Sequence, residues 1–346
     1  MQTEQQIFQS KMISQSLAAT YNYINTGRPA EAVKMLTVVQ NIEPDNPLVP
    51  EFFRLIAAKS GLCSQPEIAG FGSFWGGENL NGKTIEVFCD QGMGDTVNML
   101  RYLYLIKSRW SCQIVLNCYA YFEQFERLFK DVPYIDKFVK YHEPCDYFTN
   151  IFSLPAILSG IELPIYYPAH FSLVMEKGVP PQPMLEAWPT FSAAWSGVEP
   201  RDRQVYDPTP NVGVAWKSNP ENLPLYQKKS IPVEIIERLK SDRYHLYSLC
   251  PDECPDFMKK LDLRDLYDTT AVIHGLDYIV SVDTVVLHLA GANGSPTFGL
   301  IPDDCDPRWG TEGDTTVWYP SVKLIRQDGD WSKSVDKVKE AIESLI

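Results

Sequence analysis

From Thr84 onward the chain alternates short apolar runs with stretches of helical spacing. "TIEVFC" (84–89), "QIVLNC" (113–118) and "IDKFVK" (135–140) read as strands, with helices expected over 97–106 and near 121–130. A second block repeats the pattern: "NVGVAW" (211–216), a helix over 232–240, "RYHLYSL" (243–249), a short helix near 269–275, "DYIVSVD" (277–283), a helix over 284–292 and "PTFGLI" (296–301). Two such blocks in series predict an α/β protein with two doubly wound sheets facing each other across a cleft. The closing helix, 333–345, is assignable to either block.

The N-terminal pattern is helical. Residues 17–60 place small and aromatic residues at helical spacing, with a Gly-Arg-Pro turn at 27–29, a second helix through about Val39 and a Pro-Asp-Asn-Pro stop. Ala18, Tyr21, Gly27, Ala32 and Pro44 fall where one tetratricopeptide unit puts its small, aromatic and terminating residues. A single unit cannot bury its own face, so a capping role on the next domain is expected. Between the two α/β blocks, "KGVPPQPMLEAWPTFS" carries four prolines and reads as a linker. The predicted division is 1–66 helical, 67–180 first Rossmann-like domain, 181–210 linker and 211–346 second Rossmann-like domain.

Composition narrows the function. With 346 residues, 45% hydrophobic and 22% charged, the chain has enough apolar content for several globular cores. No run approaches a membrane span and the N-terminus lacks the basic-then-apolar order of a signal peptide, so a cytoplasmic protein without membrane insertion is expected. The eight cysteines match neither a zinc knuckle pair nor a disulfide framework, which leaves reduced structural thiols. A net charge of −13 weighs against a nucleic-acid partner.

Three turns carry candidate chemistry. In "DQGMGDTVNMLR" (90–101), Gly92, Met93 and Gly94 permit close backbone approach after a strand, and Asp95 stands at a helix start. Val97 occupies the place of the third glycine of a dinucleotide fingerprint, and "VLNCY" lacks the acid a nicotinamide enzyme wants. By position alone Asp95 is a helix cap. In "SVDTVVLHLAGANGSP", Asp283 ends a strand, and the amides of Thr284, Val285 and Val286 open a helix, a setting that favours phosphate; His288 follows one turn later. The strand-end loop 212–232 carries Lys217, Ser218, Asn219, Lys228, Lys229 and Ser230, and its three lysines could neutralise a diphosphate or simply be solvated. Asp303, Asp304 and Asp306 read as a solvated turn rather than a metal site, and Trp309 and Trp318 as core rather than a nucleobase pocket.

Taken together, "GKTIEVFCDQGMGDTVNMLRYLYLIKSR" (82–109), "SLP" (153–155), "VGVAWKSNP" with "KSIP" (212–220, 229–232), "DTTAVIHGLDYIVSVDTVVLHLAGANGSP" (268–296) and "RWGTEGDTTVWYPSVKLIRQ" (308–327) resemble the glycosyltransferase domain that follows tetratricopeptide repeats in bacterial proteins. That domain is related to glycosyltransferase family 9, the ADP-heptose heptosyltransferases. The resemblance implies a GT-B fold and an inverting, metal-independent transfer of sugar from a nucleotide-sugar donor to an acceptor hydroxyl on a glycan, a protein or a hydroxylated DNA base. It implies Asp95 as the catalytic base, Gly92, Met93 and Gly94 on the acceptor side, and donor contacts from Lys217, Asn219, Lys229, Asp283, Thr284, Val285, Val286 and His288. The nucleotide-sugar is a substrate and no cofactor is expected. Val285 stands where heptosyltransferases prefer glycine. The alternative from another class is a catalytically silent relative that binds a partner through its helical N-terminus.

Overall fold

A computed structural model describes residues 4–43, 72–89, 92–158, 209–220 and 223–346, with isolated positions between 46 and 56. The predicted linker 181–210 lies outside the described residues. The chain forms two compact units, one comprising 1–90, 102–122 and 134–181, the other 91–101, 123–133 and 182–346.

The first unit opens with a helical pair, Glu4–Asn25 and Pro29–Ile42. Gly27 (φ 69°) ends the first helix, and the Arg28 amide donates back to the Tyr23 carbonyl, a Schellman closure that a left-handed glycine makes cheap. Ile24, Ala32, Leu36 and Val39 are buried between the helices, with Ile13 and Leu17 packed against them. The inward stripe therefore runs 13, 17, 20, 24 at helical spacing. Ala18 and Tyr21, which match the small and aromatic positions of a tetratricopeptide unit, are exposed because they fall off that stripe.

The same unit holds a five-stranded, wholly parallel sheet: β1 (Ser73–Phe74), β2 (Thr84–Phe88), β3 (Gln113–Asn117), β4 (Lys137–Val139) and β5 (Tyr147–Asn150), in the order β1-β5-β2-β3-β4. β2 and β3 are buried over four of their five positions, as a sheet covered on both faces requires.

The second unit carries its own parallel sheet: β6 (Asn211–Ala215), β7 (His245–Ser248), β8 (Tyr278–Val282), β9 (Thr297–Ile301) and β10 (Val322–Arg326), in the order β10-β9-β8-β6-β7. Val212 and Val214, Val280 and Val282, and Phe298 and Leu300 share one core with Ile236, Leu239, Trp331, Val335, Val338 and Ile342, the last four from the closing helix Trp331–Leu345. The closing helix thus belongs to this unit. So does the Phe122–Phe129 helix beyond its first residue, where Arg127 pairs with Asp265 and Asp268.

The strands β1, β5 and β10 were not predicted. They are short or mix polar with apolar residues, and they owe their conformation to a neighbouring strand. Leu223–Lys229, expected as a lysine-rich loop, is a helix with Pro224 in its first turn and Lys228 and Lys229 in its last, a favourable arrangement for the helix dipole. No helix among the described residues is long and apolar enough to cross a membrane.

Candidate active site

The helix after β2 begins at Met93, with Gly92 as an extended N-cap that makes no side-chain cap bond. Asp95 is its third residue. Its carboxylate leaves the helix for Arg308, whose Nη2 donates to Oδ1 at 2.5 Å. Among the described residues Oδ2 has no hydrogen-bond partner, and it lies 3.1 Å from where a Gly92 Cβ would stand. Gly92 thus gives room to the carboxylate. At Gly94 the missing Cβ is replaced by the His288 ring, since an added Cβ would fall 2.6 Å from His288 Cδ2 and 3.3 Å from Val285 Cα. This glycine lets the Met93–Met99 helix cross directly over the start of the Val285–Ala292 helix.

Arg308 sits in a 3₁₀ turn, Pro307–Trp309, and only 7% of it is exposed. Asp306 caps that turn by accepting the Arg308 amide at 3.0 Å, and its carboxylate also takes Nε at 2.9 Å and Nη2 at 3.3 Å. Trp318 Nε1 donates to the Arg308 carbonyl at 3.0 Å. Burial opposes the guanidinium charge, but Asp95, Asp306 and Asp283 outweigh it and raise the Arg308 pKa above its ordinary value. Burial likewise works against the Asp306 carboxylate; Arg308 overrides it and brings its pKa below the usual range. Asp306 is therefore half of a fixed ion pair rather than part of a solvated turn, while Asp304 stays exposed and meets Lys228 at 2.7 Å.

β8 ends at Val282, and the buried Asp283 follows with Lys229 Nζ 2.7 Å from its Oδ2. Thr284 is the extended N-cap of the Val285–Ala292 helix and its hydroxyl makes no cap bond, so the first amides of that helix are left without a side-chain acceptor. His288 is buried, stacked on Trp309 with ring centres 5.4 Å apart, and its Nδ1 lies 2.8 Å from Tyr319 Oη. Asn98 Nδ2 donates to the same hydroxyl at 2.8 Å, which frees the Tyr319 proton for the imidazole. Burial first, then the cations Arg308, Lys229 and Arg101, press the His288 pKa well below the ordinary histidine value. It is a neutral, packed ring. Trp309 and Trp318 are core residues, as read from the sequence.

The three lysines diverge. Lys229 reaches Asp283, Lys228 reaches Asp304 and Lys217 pairs with Glu253 at the mouth of a pocket of about 270 Å³ that Tyr226, Gln227 and Ser230 also line. Ser230 Oγ accepts the Ser218 amide at 3.0 Å, and Asn219 is exposed. Asp95, Asp283, Val285, His288 and Lys229 therefore belong to one cluster around Arg308, while Lys217 pairs with Glu253 instead. Arg308, Arg101 and Tyr319 were not singled out from the sequence, and Asp306 was read there only as part of a solvated turn. The cap signal Asp306-Pro307-Arg308 was legible there, but not its reach across 213 positions to Asp95.

No family model matches the chain. It is similar to Protein FlbA of Caulobacter vibrioides, 26% identical over an alignment 323 positions long that covers 82% of this chain and 50% of FlbA, so it spans about half the length of that curated relative. Among solved structures, the heptosyltransferase TibC in complex with ADP-D-β-D-heptose matches with a TM-score of 0.52 at 13% identity, covering 78% of this chain and 78% of TibC. The E. coli ADP-heptose lipopolysaccharide heptosyltransferase II matches with a TM-score of 0.48 at 14% identity, covering 76% of this chain and 98% of the enzyme. The likeness to TibC shows a shared fold, two parallel-sheet α/β domains of the glycosyltransferase type.

Proposed function

We propose that the chain is a nucleotide-sugar-dependent glycosyltransferase with Asp95 as general base. The observation that carries this reading is the contact of two helix starts: the residue before Asp95 lies against Val285, the first residue of a helix whose N-terminus has no side-chain cap. A base and an anion-binding helix start lie side by side, as a displacement at a sugar carbon bearing a diphosphate demands.

In the proposed reaction Asp95 Oδ2 takes the proton of an acceptor hydroxyl while Arg308 holds Oδ1. The acceptor oxygen bonds to the anomeric carbon from the face opposite the diphosphate, whose oxygen departs with the bonding pair, and configuration inverts. The amides of Val285 and Val286, with the Lys229 ammonium nearby, stabilise the leaving charge, so the reading needs no metal. Arg308 acts as a positioning residue through Asp95. Neutral His288 contributes packing, not charge. Because TibC shares the fold and was crystallised with ADP-D-β-D-heptose, ADP-sugars head the list of donors to test. The acceptor is an alcohol of a glycan, a protein or, against the net charge, a nucleic acid.

The test is a thermal-shift panel of ADP, UDP and GDP with their sugar conjugates, on wild type and on Thr284→Trp, which fills the space before the helix start. A ligand at a hundred times its Kd adds about 2.7 kcal/mol, read as a rise of several degrees. Stabilisation of wild type but not of the variant supports the reading. No response to any nucleotide overturns it in favour of a silent binding module.

A further inference from the structure

We propose that Glu86, His142 and Cys145 in the first unit form a binding site for a divalent transition-metal cation of the zinc class. Glu86 is the third residue of β2, the central strand of its sheet, opposite Val115 on β3 and Phe148 on β5. It is fully buried in a strand otherwise apolar beyond its first residue. A carboxylate in such a place is unfavourable unless its charge is met.

Asn117 Nδ2 donates to Oε1 at 2.9 Å, and the Glu143 amide approaches Oε2 at 3.4 Å. His142 Nδ1 lies 2.8 Å from Oε2, with 6% of its side chain exposed. Cys145 is in no disulfide and packs against Phe88 and Phe148, and the ligand atoms of Glu86, His142 and Cys145 lie within 4.8 Å of one another. One carboxylate, one thiolate and a neutral imidazole carry together the two negative charges that a divalent cation cancels. The oxygen, nitrogen and sulfur donors suit zinc, which takes bonds of about 2.0 to 2.3 Å in tetrahedral sites.

Around such a centre ligand atoms stand roughly 3.3 to 3.8 Å apart, by the same bond lengths. The Glu86–His142 contact opens slightly and the thiol moves inward, both by side-chain rotation. His142 and Cys145 are separated by two residues in the segment between β4 and β5, the spacing with which paired cysteines present two ligands from one turn. Three protein ligands leave a fourth position open. Asn117, bonded to the far carboxylate oxygen, orients Glu86 as outer-shell partners orient metal ligands.

The experiment uses the full chain, stripped with a chelator and titrated with Co²⁺ as the spectroscopic probe and Zn²⁺ in a thermal-shift series. The expected result is one equivalent of Co²⁺ with a thiolate-to-cobalt charge-transfer band and visible ligand-field bands of tetrahedral intensity, and a rise in Tm with Zn²⁺. Both are lost in Cys145→Ser and His142→Gln and kept in Cys254→Ser. Asn117→Ala weakens Co²⁺ binding by about 10 to 100-fold. Because Glu86→Gln changes a core residue, Cys145→Ser, a near-isosteric change, carries the test. Absence of the charge-transfer band in wild type, or its survival in Cys145→Ser, overturns the proposal.

Discussion

Arg308 Nη2 holds Asp95 Oδ1 at 2.5 Å and leaves Oδ2 without a partner among the described residues. One oxygen is anchored and the other is open. The arrangement splits the roles of two residues and lets each be tested against the other.

Asp95→Asn preserves shape and removes the base. Turnover with the donor identified by thermal shift is expected to fall by about 10² to 10⁴, with donor affinity unchanged, because the diphosphate meets the other helix. Near-normal turnover in a folded variant would sink the assignment of Asp95.

Arg308→Gln removes the anchor but not the base. A misplaced base costs on the order of 10² in kcat with little change in donor KM, and Arg308→Lys recovers only part because the fork to Asp95 and Asp306 is lost. The same change leaves two carboxylates without their buried cation, and a loss of about 3 kcal/mol in unfolding free energy is expected. If kcat in Arg308→Gln matches wild type while Asp95→Asn is inactive, Arg308 is structural only.

Gly94→Ala places a methyl where the His288 ring stands, 2.6 Å from Cδ2. Destabilisation of about 1 to 3 kcal/mol follows from overpacking. Adding His288→Ala empties that space, so the double variant should lose less than the sum of the singles; strict additivity in denaturant unfolding would show that the two positions do not share the contact.

His288 titrates far lower folded than unfolded, because burial and three neighbouring cations disfavour its charge. The unfolded chain therefore binds one more proton once the pH falls below the ordinary histidine value. The contribution of this residue is full above about pH 6.5 and declines below it, by up to about 1.4 kcal/mol per pH unit until the folded pKa is reached. In His288→Gln the decline between pH 7 and pH 5 should be shallower by that amount; identical slopes in denaturant unfolding would refute a buried neutral ring.

Local patterns carried much of this protein into view from its residues alone. Seven apolar runs became strands, because a sheet covered on both faces needs continuous apolar stretches. Asp95 and the Asp283–Thr284 pair were placed at strand-to-helix turns by glycine, cap and period signals that act over a few positions. The two glycines were legible as glycines but not in their purpose: one gives room to a carboxylate, the other to an imidazole from a helix almost two hundred residues away. The strands Ser73–Phe74, Tyr147–Asn150 and Val322–Arg326 carry too little pattern of their own and exist because a neighbour supplies their hydrogen bonds. What only the tertiary structure decided is which charges meet. Arg308 finds Asp95 and Asp306, and Glu86 finds His142, because a buried charge must be met wherever the folded chain brings a partner, and no local spacing encodes that distance.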